Sequence, residues 1–199
     1  IKQCLVGSEM CIRDRAITPA DQAHFLESAW RQLQQQTTLP EQVDGLIGAS
    51  YGGMVALHWA QLYPQSIARA LVLCAAHRSN PSTSAYRSLQ RRIVRFAHAQ
   101  GNGEEGLRLA RGLAMLGFRS AVELNQRFAG RGQLNAQQLV LPIDHYLAAR
   151  GADYAKRHNP ASFHCLSQSC DLHHLQAANI NTELWLFACE SDAIVPLTD

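Results

Sequence analysis

Phe25, Leu26, Ala29, Trp30 and Leu33 fall at helical spacing behind Thr18-Pro19-Ala20-Asp21, an N-cap with proline at the first helical position. A helix is therefore expected from Thr18 to about Gln36. After a turn at Leu39-Pro40, the apolar run Val43 to Ile47 predicts a short buried strand. Met54 to Ala60 predicts a helix that Tyr63-Pro64 stops, and Ala70 to Ala76 predicts a second strand, buried on both faces. Strand, helix and strand within about 30 residues form a crossover unit of a parallel sheet.

From Ser79 to about Ala178 the period is helical only, over Ser84 to Ala99, Glu104 to Leu116, Ala121 to Phe128, Ile143 to Arg157 and Ala161 to His173. Glycines at 101, 103, 106, 130 and 132 mark the joins. Glu183 to Cys189 then returns to strand character. An all-helical block between sheet strands reads as an insertion that caps the carboxyl ends of the strands, where open α/β sheets bind ligands. The organisation expected is a core of residues 16–78 and 179–199 with a helical lid insertion at 79–178.

With 199 residues, 47% of them apolar, the chain can bury the core of one domain. A net charge of +2, with no basic run longer than Arg91-Arg92, argues against a nucleic-acid or membrane surface. No apolar run approaches the roughly 20 residues of a membrane helix. The six cysteines, at 4, 11, 74, 165, 170 and 189, include no C-x-x-C pair and read as thiols of a reducing compartment, so a cytoplasmic location is expected. Ile1 to Arg15 has no periodicity that connects to the helix after it and resembles translated sequencing-adaptor read-through. It is set aside as an artefact, and the protein is expected to be incomplete at both ends.

The chemistry centres on Leu46-Ile47-Gly48-Ala49-Ser50-Tyr51-Gly52-Gly53. A serine between small residues, after a strand and before a helix, fits a nucleophile elbow rather than an ordinary Gly-rich turn. Gly48 and Gly52 bracket Ser50, and a side chain at either is expected to collide with the corner. The backbone N–H of Tyr51 at the helix start is placed to donate to an oxyanion. Asp192, just past the last strand, is the candidate acid that orients a histidine base, with a turn aspartate as the plain alternative. That histidine should follow Asp192, and none occurs after His174, so the base is expected from sequence beyond this chain.

Of the histidines present, His58 reads as structural and His77 stands out of order for a triad. His173-His174 beside Asp171 invites a metal reading, but neighbouring helix positions do not face one another, and no metal is expected. Arg111 in the helical block can grip a carboxylate through a two-pronged hydrogen bond or simply face solvent.

These residues resemble the homoserine O-acyltransferases of methionine biosynthesis. The nucleophile stretch is similar from Gly48 to Met54, with Ala56-Leu57 and Tyr63-Pro64. In the helical block Arg87 to Arg91, Gly106 to Arg111, Phe118 to Ser120 and Ser167 to His173 resemble the family's lid segments, and Ser191-Asp192 with Pro196 its acid loop. Phe118 stands where the family commonly has tyrosine and Tyr51 where it often has methionine, while segments 102–105 and 133–142 look shortened.

The resemblance implies an α/β fold of the α/β-hydrolase type, here a fragment with a parallel sheet and an inserted helical lid. It implies Ser50 as nucleophile, Asp192 as triad acid and Arg111 as the arginine that binds substrate. The substrates implied are L-homoserine and acetyl- or succinyl-coenzyme A, the acyl-CoA being a co-substrate with no further cofactor, and a homodimer is one assembly compatible with this. A serine esterase on the same fold and a non-catalytic binding protein are the alternatives.

Overall fold

A computed structural model describes residues 16–197; the adaptor-like segment, 1–15, lies outside them. Helix α1 (Pro19–Gln36) starts as its sequence dictates. The Thr18 hydroxyl accepts from the Asp21 N–H at 3.2 Å, and the Asp21 carboxylate accepts from the Thr18 N–H at 2.7 Å, closing a capping box over Pro19. Strand β1 (Leu46–Ala49) leads into α2 (Tyr51–Leu62), and β2 (Arg69–Leu73) follows. Next come α3 (Pro81–Ala99), α4 (Gly103–Phe118), α5 (Ala121–Arg127), β3 (Gln133–Asn135), β4 (Gln138–Val140), α6 (Asp144–Ala155) and α7 (Pro160–Asp171). A 3-10 turn at Ala177–Asn179 precedes β5 (Glu183–Phe187).

Strands β1, β2 and β5 form a parallel sheet in that order. Its register sets Ala49, Leu73 and Phe187 in one row, so the three strands finish together at one sheet edge. Strand β2 buries Ala70 and Val72, while Leu71 and Leu73 on its other face are only partly covered, so the expectation of a strand buried on both faces is not met.

Backbone packing divides the described residues into two compact units, one of residues 16–84 and 165–197 and one of residues 85–164. In the first, α2 is enclosed from Gly53 to Ala60. Val55 and Trp59 pack with Ala23 and Ile67, while Ala56 and Leu57 pack with Val72 and Leu175. A helix hydrophobic on nearly all sides can only be held this way, between a sheet and other elements.

The buried stripe of α1 is not the one its apolar spacing suggests. Phe25 and Leu33 are about half exposed, whereas Ala23 and Glu27 are buried. Glu27 is tolerated there because its carboxylate accepts from Trp59 Nε1 at 2.8 Å, Ser66 Oγ at 2.9 Å and Arg31 Nε at 2.7 Å. Burial pushes its pKa up, and these three donors outweigh that and hold it below the ordinary glutamate value.

The second unit is built around Val94, Leu107 and Ala110, with Tyr154, Ala155 and Phe163 against them. Helices α4 and α6 approach closely at Gly151, where an added Cβ would stand 2.7 Å from the Arg108 carbonyl oxygen. Leu109 and Phe96 are exposed. The expectation of helices alone also needs correction, since β3 and β4 pair as an antiparallel hairpin. Its two turn residues, Ala136 and Gln137, both take positive φ, 46° and 71°. Such a turn normally advertises itself with Asn-Gly, and here no glycine or asparagine occupies either position.

Candidate active site at the strand-to-helix corner

Ser50 sits where β1 gives way to α2, with φ 50° and ψ −119°. A left-handed conformation on a non-glycine residue is strained, and surroundings hold it there. Its N–H donates to the Leu73 carbonyl at 2.8 Å, extending the β1–β2 ladder by one bond, while its carbonyl accepts from the Met54 N–H at 3.0 Å, the first bond of α2. The turn is therefore completed within a single residue. The side chain of Ser50 is exposed and makes no capping bond to the helix, so its hydroxyl faces outward at the sheet edge.

Crowding at the corner falls on Gly48, as expected, and on Gly53 rather than Gly52. A Cβ on Gly48 would stand 2.4 Å from the Gly52 carbonyl oxygen and 2.9 Å from the Gly53 nitrogen. One on Gly53 would stand 2.7 Å from the Ala75 Cβ and 3.2 Å from Val72 Cγ1. Gly52, two residues past the serine, has open space around it. Gly48 lets the strand pass under the helix start, and Gly53 lets the helix lie on β2; Gly52 answers no steric demand.

Tyr51 is the first residue of α2. The N–H groups of a first helical turn have no partner inside the helix, so that of Tyr51 is free to donate beside the serine. Asp192 lies in the loop that leaves β5 at the edge where β1 also ends. One carboxylate oxygen, Oδ1, accepts from the Ile194 N–H at 2.7 Å and the Val195 N–H at 3.0 Å. The loop beyond it is tied down by α3: Asn80 Nδ2 and Thr83 Oγ1 both donate to the Ile194 carbonyl, at 3.0 and 2.8 Å. Sequence reasoning missed these two anchors because an asparagine and a threonine at a helix start look like ordinary caps.

Arg111 lies in the helical unit, half-buried rather than facing solvent. Its guanidinium is 5.2 Å from the Phe118 ring centre and 5.0 Å from that of Tyr154, a spacing that suits cation–π attraction to both. Arginine keeps its charge in such surroundings, and two aromatic faces leave its in-plane N–H groups available to a planar anion.

His58 and His173, the buried histidines among the described residues, are turned to each other. His173 Nε2 donates to the Ala76 carbonyl at 2.7 Å, which leaves Nδ1 to accept from His58 Nε2 at 3.2 Å. Among the described residues no group of three or more His, Cys, Asp or Glu side chains is placed to hold a metal ion. Burial, then the neighbouring His173 and His24, lowers the His58 pKa to about 4, and burial lowers that of His173, with His77 and His174 adding to it.

A histidine whose folded pKa lies below its ordinary 6.5 contributes stability that is complete above that value and is lost as pH falls towards the folded one. Stability is accordingly expected to decline between pH 6.5 and 4, by up to roughly 3 kcal/mol at about 1.4 kcal/mol per pH unit. Thermal midpoints across this range, compared with His58→Gln, test it. An unchanged pH slope in the variant would exclude the pair as the cause.

The description "alpha/beta hydrolase fold" belongs to a family model that matches residues 13–140. The chain is 35% identical over 155 residues to a homoserine O-succinyltransferase of Xanthomonas campestris pv. campestris, covering 78% of this chain and 42% of that protein. It is 36% identical over 146 residues to a serine O-succinyltransferase of Litchfieldella anticariensis, covering 66% of this chain and 40% of that one. The chain thus spans about two fifths of the length of these curated relatives. A solved structure of homoserine O-acetyltransferase from Bacillus anthracis superposes with a TM-score of 0.80 at 15% identity, over 96% of this chain and 56% of that one, a likeness of fold. The match runs through the elbow and both strands that frame it, and on that ground the chain belongs to the α/β hydrolase fold family.

Proposed function

We propose that this chain is part of an acyltransferase that moves an acetyl or succinyl group from acyl-coenzyme A to the hydroxyl of L-homoserine. The observation that carries the reading is the exposed Ser50 held at φ 50° on a strand-to-helix corner, in a chain 35% identical to a homoserine O-succinyltransferase. In this reading the Ser50 Oγ attacks the thioester carbonyl as a base takes its proton. The C–O bond forms, the C–S bond breaks, and coenzyme A leaves as the thiol. The Tyr51 N–H donates to the oxyanion of the tetrahedral intermediate.

The acceptor hydroxyl then attacks the acyl-serine, loses its proton to the same base and returns Ser50 to its free form. Asp192 orients that base, its Oδ1 already committed to the loop amides. Arg111 grips the acceptor's carboxylate. A cytoplasmic location fits Cys74, Cys165, Cys170 and Cys189 standing outside any disulfide, and no described helix is long and apolar enough to cross a membrane. A homodimer belongs to the same proposal.

The test is a coenzyme A release assay on protein expressed from its complete reading frame, with acetyl- or succinyl-CoA as donor. Thiol release is expected to depend on L-homoserine and to match the O-acyl product mole for mole, with L-serine as the comparison acceptor. Ester hydrolysis without transfer to either amino acid would overturn the reading in favour of an esterase.

A further inference from the structure

Between Ser50 and Met54 the helix start offers few handles. Residues 52 and 53 are glycines, so Tyr51 is the only one of the three residues after Ser50 whose side chain can anchor the strained corner. Its phenol hydroxyl lies 2.7 Å from Ser169 Oγ on α7, and Ser169 is 1% exposed. The end of α7 is itself fixed to the segment after β2. Ser79 Oγ donates to the Cys170 carbonyl at 2.6 Å, Ser84 Oγ to Asp171 Oδ1 at 2.7 Å, and His173 Nε2 to the Ala76 carbonyl. Burial raises the Tyr51 pKa, so the phenol stays neutral and keeps its hydrogen bond throughout the physiological range.

We infer that the Tyr51–Ser169 hydrogen bond is a positioning element for acyl transfer: Ser169 serves as a fixed post that aims the Tyr51 N–H and the adjacent Ser50 Oγ. This rests on the nucleophile reading of Ser50. Oxyanion donors and nucleophiles lose rate steeply on small misplacements, whereas ground-state binding elsewhere in the site is little affected.

The experiment measures kcat, KM for donor and acceptor, and thermal midpoint for Tyr51→Phe, Ser169→Ala and the double variant, each from the complete reading frame. Each single variant is expected to lose about tenfold in kcat with KM within about twofold, and the double variant to lose no more than the worse single one. If Tyr51→Phe fails to fold, Ser169→Ala carries the same comparison. Parent-level kcat in the folded variants, or losses that multiply in the double variant, would overturn the inference. An active Ser50→Ala protein would overturn the nucleophile reading itself; an inactive one beside a fully active Tyr51→Phe would overturn only the role of Ser169.

Discussion

Ser50→Ala is expected to remove acyl transfer by about 10⁴-fold or more, the scale on which a nucleophile's loss removes covalent catalysis. Stability should change by less than about 1 kcal/mol, because the exposed hydroxyl makes no capping bond whose loss would matter. The backbone bonds that build the corner, Ser50 N–H to the Leu73 carbonyl and Met54 N–H to the Ser50 carbonyl, survive in alanine. Activity and stability thus separate in one variant. The measurement is thiol release with the parent's donor and acceptor, together with the thermal midpoint. A variant that transfers acyl groups at a tenth of the parent rate or better would require another nucleophile.

Gly48→Ala should act in the opposite sense, striking stability first. Its methyl would lie 2.4 Å from one backbone atom and within 3 Å of two others, none of which can swing aside as a flexible side chain would. Relief requires β1 and the first turn of α2 to part, at a cost of about 3 kcal/mol or more, at or beyond the upper end for overpacking. The matched control is Gly52→Ala, where nothing lies within 4 Å and removal of a helix glycine stabilises by about 0.5–1 kcal/mol. Denaturant midpoints of the two variants decide the matter. Equal effects at both positions would contradict the packing described for the corner.

The two glycines look alike in the sequence, since each stands two residues from Ser50. Only the crossing of strand and helix tells them apart, and it moves the second steric demand from Gly52 to Gly53, which rests against Val72 on β2 and Ala75 just past its end. Glu27 makes the same point. Its neighbours Leu26 and Phe25 are the apolar residues, yet Glu27 is buried because Trp59, Ser66 and Arg31, distant or local, supply donors to its carboxylate. The hairpin at β3 and β4 stayed hidden because Ala136 and Gln137 adopt positive φ without the residue types that favour it.

Local pattern alone determined a good deal: the capped start of α1, the strand–serine–helix order at Ser50, and the return to strand at β5. These arise from interactions among residues near in the chain, whose spacing records which face must leave water. Tertiary structure alone decided which partners meet across long separations. Ser169 reaches Tyr51, Asn80 and Thr83 hold the Ile194 carbonyl, and His58 faces His173. A buried polar group is admitted only where its partner stands, and no periodicity in the chain records where that partner will be.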